Sequence, residues 1–233
     1  MKSVHWAVVI FPGSNCDADC VHAIGTVLRH RVTRVWHTET IPADVDCVVI
    51  PGGFSYGDYL RAGALAARSG VMASVRTHAE AGKPVIGICN GFQVLVESGL
   101  LPGVLIKNDR LRFRCHDVHL RVEHSDTPFT RGSLGSGQVI RLPIAHGYGN
   151  YYLPPDQLAE VENNQQVLLR YCNTRGMIHP DANPNGSIGS IAGVLNRQRN
   201  VLGLMPHPER ACEALLGGTD GRFIFAAMAA WKR

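Results

Sequence analysis

Short continuous apolar runs alternate with amphipathic stretches through the first hundred positions, and glycine or proline separates nearly every pair. Residues 4–11 read as a buried strand that Pro12-Gly13-Ser14-Asn15 breaks, after which Cys16, Cys20, Ala23, Ile24, Val27 and Leu28 mark one face of a helix. A second strand is expected near 31–37 and a third at 46–50, ended by Pro51-Gly52-Gly53. Residues 59–81 are rich in Ala and Leu at helical spacing. Gly82-Lys83-Pro84 punctuates the chain before a fourth strand at 85–88, and Phe92, Val94, Leu95 and Val96 belong to the helix behind it. Apolar strands alternating with helices imply a parallel sheet covered on both faces, with reactive groups gathered at the C-terminal strand ends.

From about residue 111 the texture changes. Val118, Leu120 and Val122 alternate with His119, Arg121 and Glu123, the signature of an antiparallel strand with one wet face. Further strands are expected at 138–145, 167–171, 190–195 and 201–205, separated by polar turns such as Asn183-Pro184-Asn185-Gly186, and a helix at 220–231 closes the chain. Without repeat, low-complexity tract or linker, residues 1–233 read as a single α/β domain whose mostly parallel sheet carries antiparallel additions.

Composition narrows the function classes. A 45% share of hydrophobic residues fills a core. The net charge of +4 is mild and its basic residues are scattered, so no nucleic-acid partner is expected. Seven cysteines, an odd count without a secretory leader pattern, point to a reduced cytoplasm. No apolar stretch is long enough to span a bilayer, so no membrane association is expected.

The chemistry concentrates at Cys89. Val85-Ile86-Gly87-Ile88 stops at a Gly-X-Cys-X-Gly turn and helix-like sequence begins at once, as in a nucleophile elbow. The flanking glycines permit its strained backbone, and the helix N-terminus beneath favours thiolate over thiol. Downstream, Pro206-His207-Pro208-Glu209 follows an apolar strand, and its prolines stiffen a backbone that projects His207 and Glu209 to one side. Cys89, His207 and Glu209 thus form a candidate triad for thiol attack on a carbonyl. The Gly52-Gly53 pair reads as close-approach backbone, so that N–H groups of Gly53 and Asn90 can face an oxyanion.

Competing motifs are weaker physically. Gly53-Phe54-Ser55-Tyr56-Gly57 matches the serine-hydrolase pattern, but Pro51-Gly52-Gly53 intervenes between strand and serine. Cys115-His116 with His119 and His124 lacks a second cysteine pair, so no metal site is expected. Cys16, Cys20, Cys47, Cys172 and Cys212 read as structural core. No phosphate-binding glycine loop is present, so a self-contained ATP or dinucleotide site is not expected.

These residues resemble the class I, triad-type glutamine amidotransferases, whose signature is a Gly-X-Cys-X-Gly-X-Gln elbow with a later His-X-Glu. Gly87-Ile88-Cys89-Asn90-Gly91-Phe92-Gln93 and His207-Pro208-Glu209 fit it. Stretches 11–17, 51–63, 183–187 and 203–210 resemble more particularly the glutaminase subunits that serve purine synthesis, and the resemblance covers nearly the whole chain. It implies a three-layer α/β/α, flavodoxin-like fold and hydrolysis of glutamine through a glutamyl thioester. The ammonia would pass to a separate synthetase subunit that uses ATP and Mg2+ to turn formylglycinamide ribonucleotide into formylglycinamidine ribonucleotide, with a small bridging subunit between them. No cofactor is expected in this chain. By the same resemblance Cys89 is the nucleophile, His207 the base and Glu209 its orienting group. Gly53 and Asn90 serve the oxyanion, while Gln93 and the backbone of His146, Gly147 and Tyr148 hold the amino-acid end of glutamine. Tyr148 stands where members of the family often carry an acidic residue, which touches contacts at that point and not the triad.

Overall fold

The computed structural model describes residues 4–231, so positions 1–3 and 232–233 of the expected single domain lie outside the described residues. In chain order the elements are β1 His5–Ile10, α1 Asp17–Val21, β2 Arg31–Trp36, β3 Cys47–Ile50, α2 Val71–Glu80, β4 Val85–Ile88, α3 Asn90–Glu97 and β5 Val104–Ile106. They continue with β6 Arg114–Val122, β7 Val139–His146, β8 Asn150–Tyr152, α4 Pro155–Asn163, β9 Val167–Cys172, β10 Ile191–Leu195, β11 Val201–Leu204 and α5 Gly221–Ala230.

One nine-stranded sheet runs β2-β1-β3-β4-β11-β10-β9-β6-β7. Its first five strands pair in parallel, in the 2-1-3-4 order of a flavodoxin-like sheet. The remaining four join antiparallel, giving the mixed α/β sheet with flanking helices that the sequence pattern implies. Every residue of β3, β4 and β11 is buried, which is why these strands show no polar alternation. In β6 Val118, Leu120 and Val122 are buried while their alternate neighbours are partly wet. Buried side chains of both halves, from Trp6 and Ile86 to Leu120 and Tyr171, belong to one apolar cluster.

Register decides where the chemistry falls. Gly87 pairs with Gly203 and Ile88 with Leu204, so β4 and β11 end side by side. The backbone N–H of Cys89 donates to Leu204 O at 2.8 Å, locking the two ends together. β3, the other neighbour of β4, ends beside them at Pro51-Gly52-Gly53.

Two expected helices are shorter than their composition suggests. The helix anticipated over 59–81 reduces to α2 and a 3-10 turn, Ala66–Arg68. Ahead of them Tyr56, Gly57, Asp58 and Leu60 take left-handed φ, which helical backbone forbids. Tyr59 and Leu60 are 74% and 86% exposed, so their apolar character marks a surface loop rather than a helix face. The helix after β1 is α-helical for α1 only and continues as a π-helix, His22–Val27, yet still buries Cys20, Ala23 and Ile24. Sequence patterning also misses α4, which buries only Val161, and the two-stranded β5-β8 ribbon. Among the described residues no helix is long and apolar enough to cross a membrane.

Candidate active site

Strain and close packing build the elbow together. Cys89 has φ 52° and ψ −104°, a conformation that non-glycine residues adopt only when the surroundings impose it. The flanking glycines carry none of that strain; they let backbones approach. A Cβ on Gly91 would lie 2.0 Å from Ile50 O, and one on Gly87 2.6 Å from Gly91 O. β3, β4 and α3 therefore meet so closely that the chain must turn on Cys89, which stands at the N-terminus of α3. The first N–H groups of such a helix lack intrahelical acceptors and face the thiol with positive partial charge.

His207, delivered by β11, has its backbone N–H fixed to Pro143 O of β7 at 2.8 Å. Its Nδ1 and Glu209 Oε1 are 2.6 Å apart, with both residues buried. That bond leaves Nε2 for the substrate side, where it makes no hydrogen bond among the described residues. Burial opposes a charge on His207, but the Glu209 carboxylate, Cys89 and Cys16 together hold its pKa well above the usual histidine value. The point where a Cβ on Gly52 would sit lies 2.9 Å from His207 Cε1 and 3.4 Å from Cys89 Cβ, so imidazole and thiol share one small volume. In this conformation the Cys89 S–H points to Ala145 O at 3.7 Å. The sulfur can turn about its own Cα–Cβ bond, and contacts between thiol and imidazole commonly tighten only when substrate binds.

Gly53, three residues beyond the end of β3, sits at φ 134° and is bridged to Ser14. Asn90, opposite, has a fully committed side chain: Oδ1 accepts from Ser55 N at 3.1 Å, and Nδ2 donates to Gln93 Oε1 at 2.8 Å and Asp58 Oδ1 at 3.3 Å. Its backbone N–H, at the first position of α3, has no acceptor within the helix. Gln93 in turn donates from Nε2 to Tyr148 O at 2.7 Å. Both ends of the Gln93 amide are thus engaged, tying the 146–148 backbone to α3. Gly147 O accepts from Asn108 N at 3.0 Å, and the exposed Tyr148 ring has Lys107 Nζ 5.7 Å from its centroid. His146 is buried beside the triad, its Nδ1 3.2 Å from Asn108 Oδ1. Burial, aided by the positive charge of His207 and His116, pushes its pKa down to about 3, so it stays neutral.

The reading of Cys16 as plain core is corrected here. It is buried, but its sulfur accepts from Arg210 Nη2 at 2.9 Å and lies 3.1 Å from the same Gly52 Cβ point. The only sequence signal was its place just after the first strand, at the edge where parallel sheets collect function. Cys16, His207 and Glu209 offer donor atoms within 4.8 Å of one another, the spacing of a metal site among the described residues. The sulfur is already engaged by a guanidinium whose charge opposes a cation, and His207 Nδ1 is held by Glu209. Cys20, Cys47 and Cys212 fit the core reading, since burial raises each thiol's pKa, that of Cys212 to about 12. Ser55 Oγ is buried and makes no hydrogen bond among the described residues, so the rival elbow lacks a base.

A strained elbow thiol with an imidazole–carboxylate pair behind it, at the C-terminal edge of a parallel sheet, defines enzymes that open a carbonyl compound by sulfur attack. Within that class residues 3–218 match the CobB/CobQ-like glutamine amidotransferase domain, and the chain belongs to this family. It is 52% identical to the phosphoribosylformylglycinamidine synthase subunit PurQ of Moorella thermoacetica, over 97% of this chain and 95% of that protein. Against the subunit of the same name from Acaryochloris marina it is 56% identical, over 94% and 93%. Among solved structures it superposes on a chain of PurLQS from Thermotoga maritima with a TM-score of 0.86 and 44% identity, covering 97% of this chain and 98% of that one.

Proposed function

We propose that this chain is the glutaminase subunit of a phosphoribosylformylglycinamidine synthase. It takes the amide nitrogen from glutamine and delivers it as ammonia to the synthetase subunit that forms formylglycinamidine ribonucleotide. The observation that carries the reading is the meeting of Cys89 with the His207–Glu209 pair at the ends of two adjacent parallel strands. Near-full-length similarity to subunits of that name supports the choice of partner.

The Cys89 sulfur attacks the carboxamide carbon as its proton passes to His207 Nε2. The oxyanion so formed is met by the N–H groups of Gly53 and Asn90, each worth about 3 kcal/mol. His207 returns the proton to the leaving ammonia, leaving a glutamyl thioester on Cys89. It then takes a proton from the water that hydrolyses the thioester. Glu209 keeps Nδ1 protonated throughout and offsets the imidazolium charge. The loop that Gln93 ties down, His146 to Tyr148, positions the amino-acid end of the substrate.

ATP and Mg2+ belong in this scheme to the synthetase subunit, and this chain itself needs no cofactor. The exposed apolar side chains Phe54, Tyr59 and Leu60 beside Asp58, and Phe113 beside Gly147, flank the elbow and suit a docking surface through which ammonia leaves without meeting bulk water. A small bridging subunit and a cytoplasmic setting complete the proposal. The test is glutamate release by the purified chain, alone and with its synthetase, ATP and formylglycinamide ribonucleotide. The reading predicts glutamate and formylglycinamidine ribonucleotide in equal amounts in the full mixture. Amidation of a different acceptor by a different synthetase would reassign the subunit.

A further inference from the structure

Arg210 follows Glu209 directly in the chain, and its guanidinium lies close enough to compete for the carboxylate that orients His207. Its Nε is 3.9 Å from Glu209 Oε1, the same oxygen that His207 Nδ1 holds at 2.6 Å. What holds the guanidinium off is visible on its other side. Nη2 donates to Cys16 Sγ at 2.9 Å, and Nε lies 3.4 Å from Asp19 Oδ2 in α1. Cys16 is itself fixed: its backbone N–H donates to Gly52 O at 3.3 Å and its S–H is directed at Asn15 Oδ1, 3.6 Å away. A sulfur this deeply buried, receiving a guanidinium N–H within reach of a catalytic imidazole, is more than packing.

We propose that Cys16 is a positioning residue whose sulfur captures the Arg210 side chain, so that Glu209 stays committed to His207. Without that acceptor the half-buried guanidinium, left between Asp19 at 3.4 Å and the buried Glu209 carboxylate at 3.9 Å, shifts toward Glu209 and shares its charge. The imidazolium is then less well supported, and the proton of Cys89 is harder to place on it. The charged and titratable groups around His207 are Glu209 and Arg210 on its own segment, Cys89 at the start of α3, and His146 on β7. From the segment leading into α1 come Cys16, and behind it Cys20, Asp17 and Asp19. Arg210 is the one cation among them placed to bond Glu209 directly.

This inference rests on the proposed chemistry, but its test needs no glutamine. The rate at which iodoacetamide alkylates Cys89, followed by peptide mass spectrometry across pH, reports how readily the free protein forms the thiolate. Cys16→Ala should move that profile up by about one pH unit, a tenfold slower reaction on its rising limb. Cys16→Ser, whose hydroxyl still accepts from Arg210, should stay close to wild type. Adding Arg210→Met to Cys16→Ala should return the profile toward wild type, because the competing cation is gone. In the glutaminase assay kcat for Cys16→Ala should fall about tenfold with KM within about twofold. An unmoved profile in Cys16→Ala, an equal shift in the Ser variant, or no recovery in the double variant overturns the proposal. Wild-type protein that forms its thiolate yet hydrolyses no glutamine beside its synthetase would instead overturn the function on which it rests.

Discussion

Two buried histidines, one in each half of the sheet, have been driven in opposite directions. His207 leaves the parallel half and is 1% exposed; His146 ends the antiparallel half and is 3% exposed. Both meet the same penalty for carrying charge in a low-dielectric interior. His207 has a carboxylate at 2.6 Å, and its pKa is raised. His146 has a neutral amide at 3.2 Å, and its pKa falls to about 3. Partner, not burial, decides which imidazole handles protons, and the two halves divide accordingly. The parallel half, through β3, β4 and β11, supplies reactive groups at strand ends.

The antiparallel half supplies a fixed wall built from neutral amides and hydroxyls. There Asn185 Nδ2 donates to Gly149 O at 2.8 Å, and Ser187 Oγ bonds Asn185 Oδ1 at 2.7 Å while accepting from Tyr151 N at 3.1 Å. Asn108 Nδ2 holds His146 O at 2.9 Å, and its Oδ1 accepts from Gly149 N at 3.0 Å.

The sharpest test of this division is Cys89→Ala, which should reduce glutamine hydrolysis by about ten-thousandfold or more while leaving the urea midpoint nearly unchanged. Retention of glutamate release would move the nucleophile elsewhere. Glu209→Gln comes next: kcat should fall by about a hundred- to ten-thousandfold with KM within about threefold, since the imidazolium loses its counter-charge but the substrate wall is untouched. A change confined to KM would place Glu209 in binding instead.

Asn185→Ala attacks the other half. It strands Ser187 N and the Tyr171 hydroxyl in the interior and should lower stability by about 2–3 kcal/mol in urea unfolding. Its effect on Cys89 alkylation should be small, so a large one would erase the distinction between the halves.

The smallest effect is on pH dependence. Because the His146 pKa is depressed on folding, the stability it contributes is complete above pH 6.5 and declines as pH falls toward 3, by about 1.4 kcal/mol for each unit. Comparing pH 7.5 with 5.5, wild type should therefore lose about 1.4 kcal/mol more than His146→Asn. His207 carries the opposite sign, its contribution being complete below 6.5 and lost as pH rises through its raised pKa.

The same division explains what could be read from the chain beforehand. Strands 85–88 and 201–205, the elbow at Cys89 and the pair His207 and Glu209 follow from local patterns, because a fully buried parallel strand writes its burial into consecutive residues. The polar turn at 183–187 was visible, but not its inward role: Asn and Ser read as solvated unless long-range contacts bury them, and Asn185 is fully buried. Cys16 escaped for a related reason. A thiol fits a helix face as readily as a site, and only the approach of Arg210, 194 positions away, distinguishes the two. The segment 59–63 misled as the start of a helix because Tyr59 and Leu60, which supply its apolar pattern, face outward.

The central claim is that sulfur at position 89 forms a covalent bond to the substrate carbonyl. Acid-quenching the complete complex during turnover of labelled glutamine, followed by peptide mass spectrometry, addresses it most directly. A labelled glutamyl group on the Cys89 peptide, lost on treatment with hydroxylamine and absent in Cys89→Ala, is the predicted result. Steady glutamate production with label on another residue, or with none at any quench time even where water addition is slowed, would contradict it.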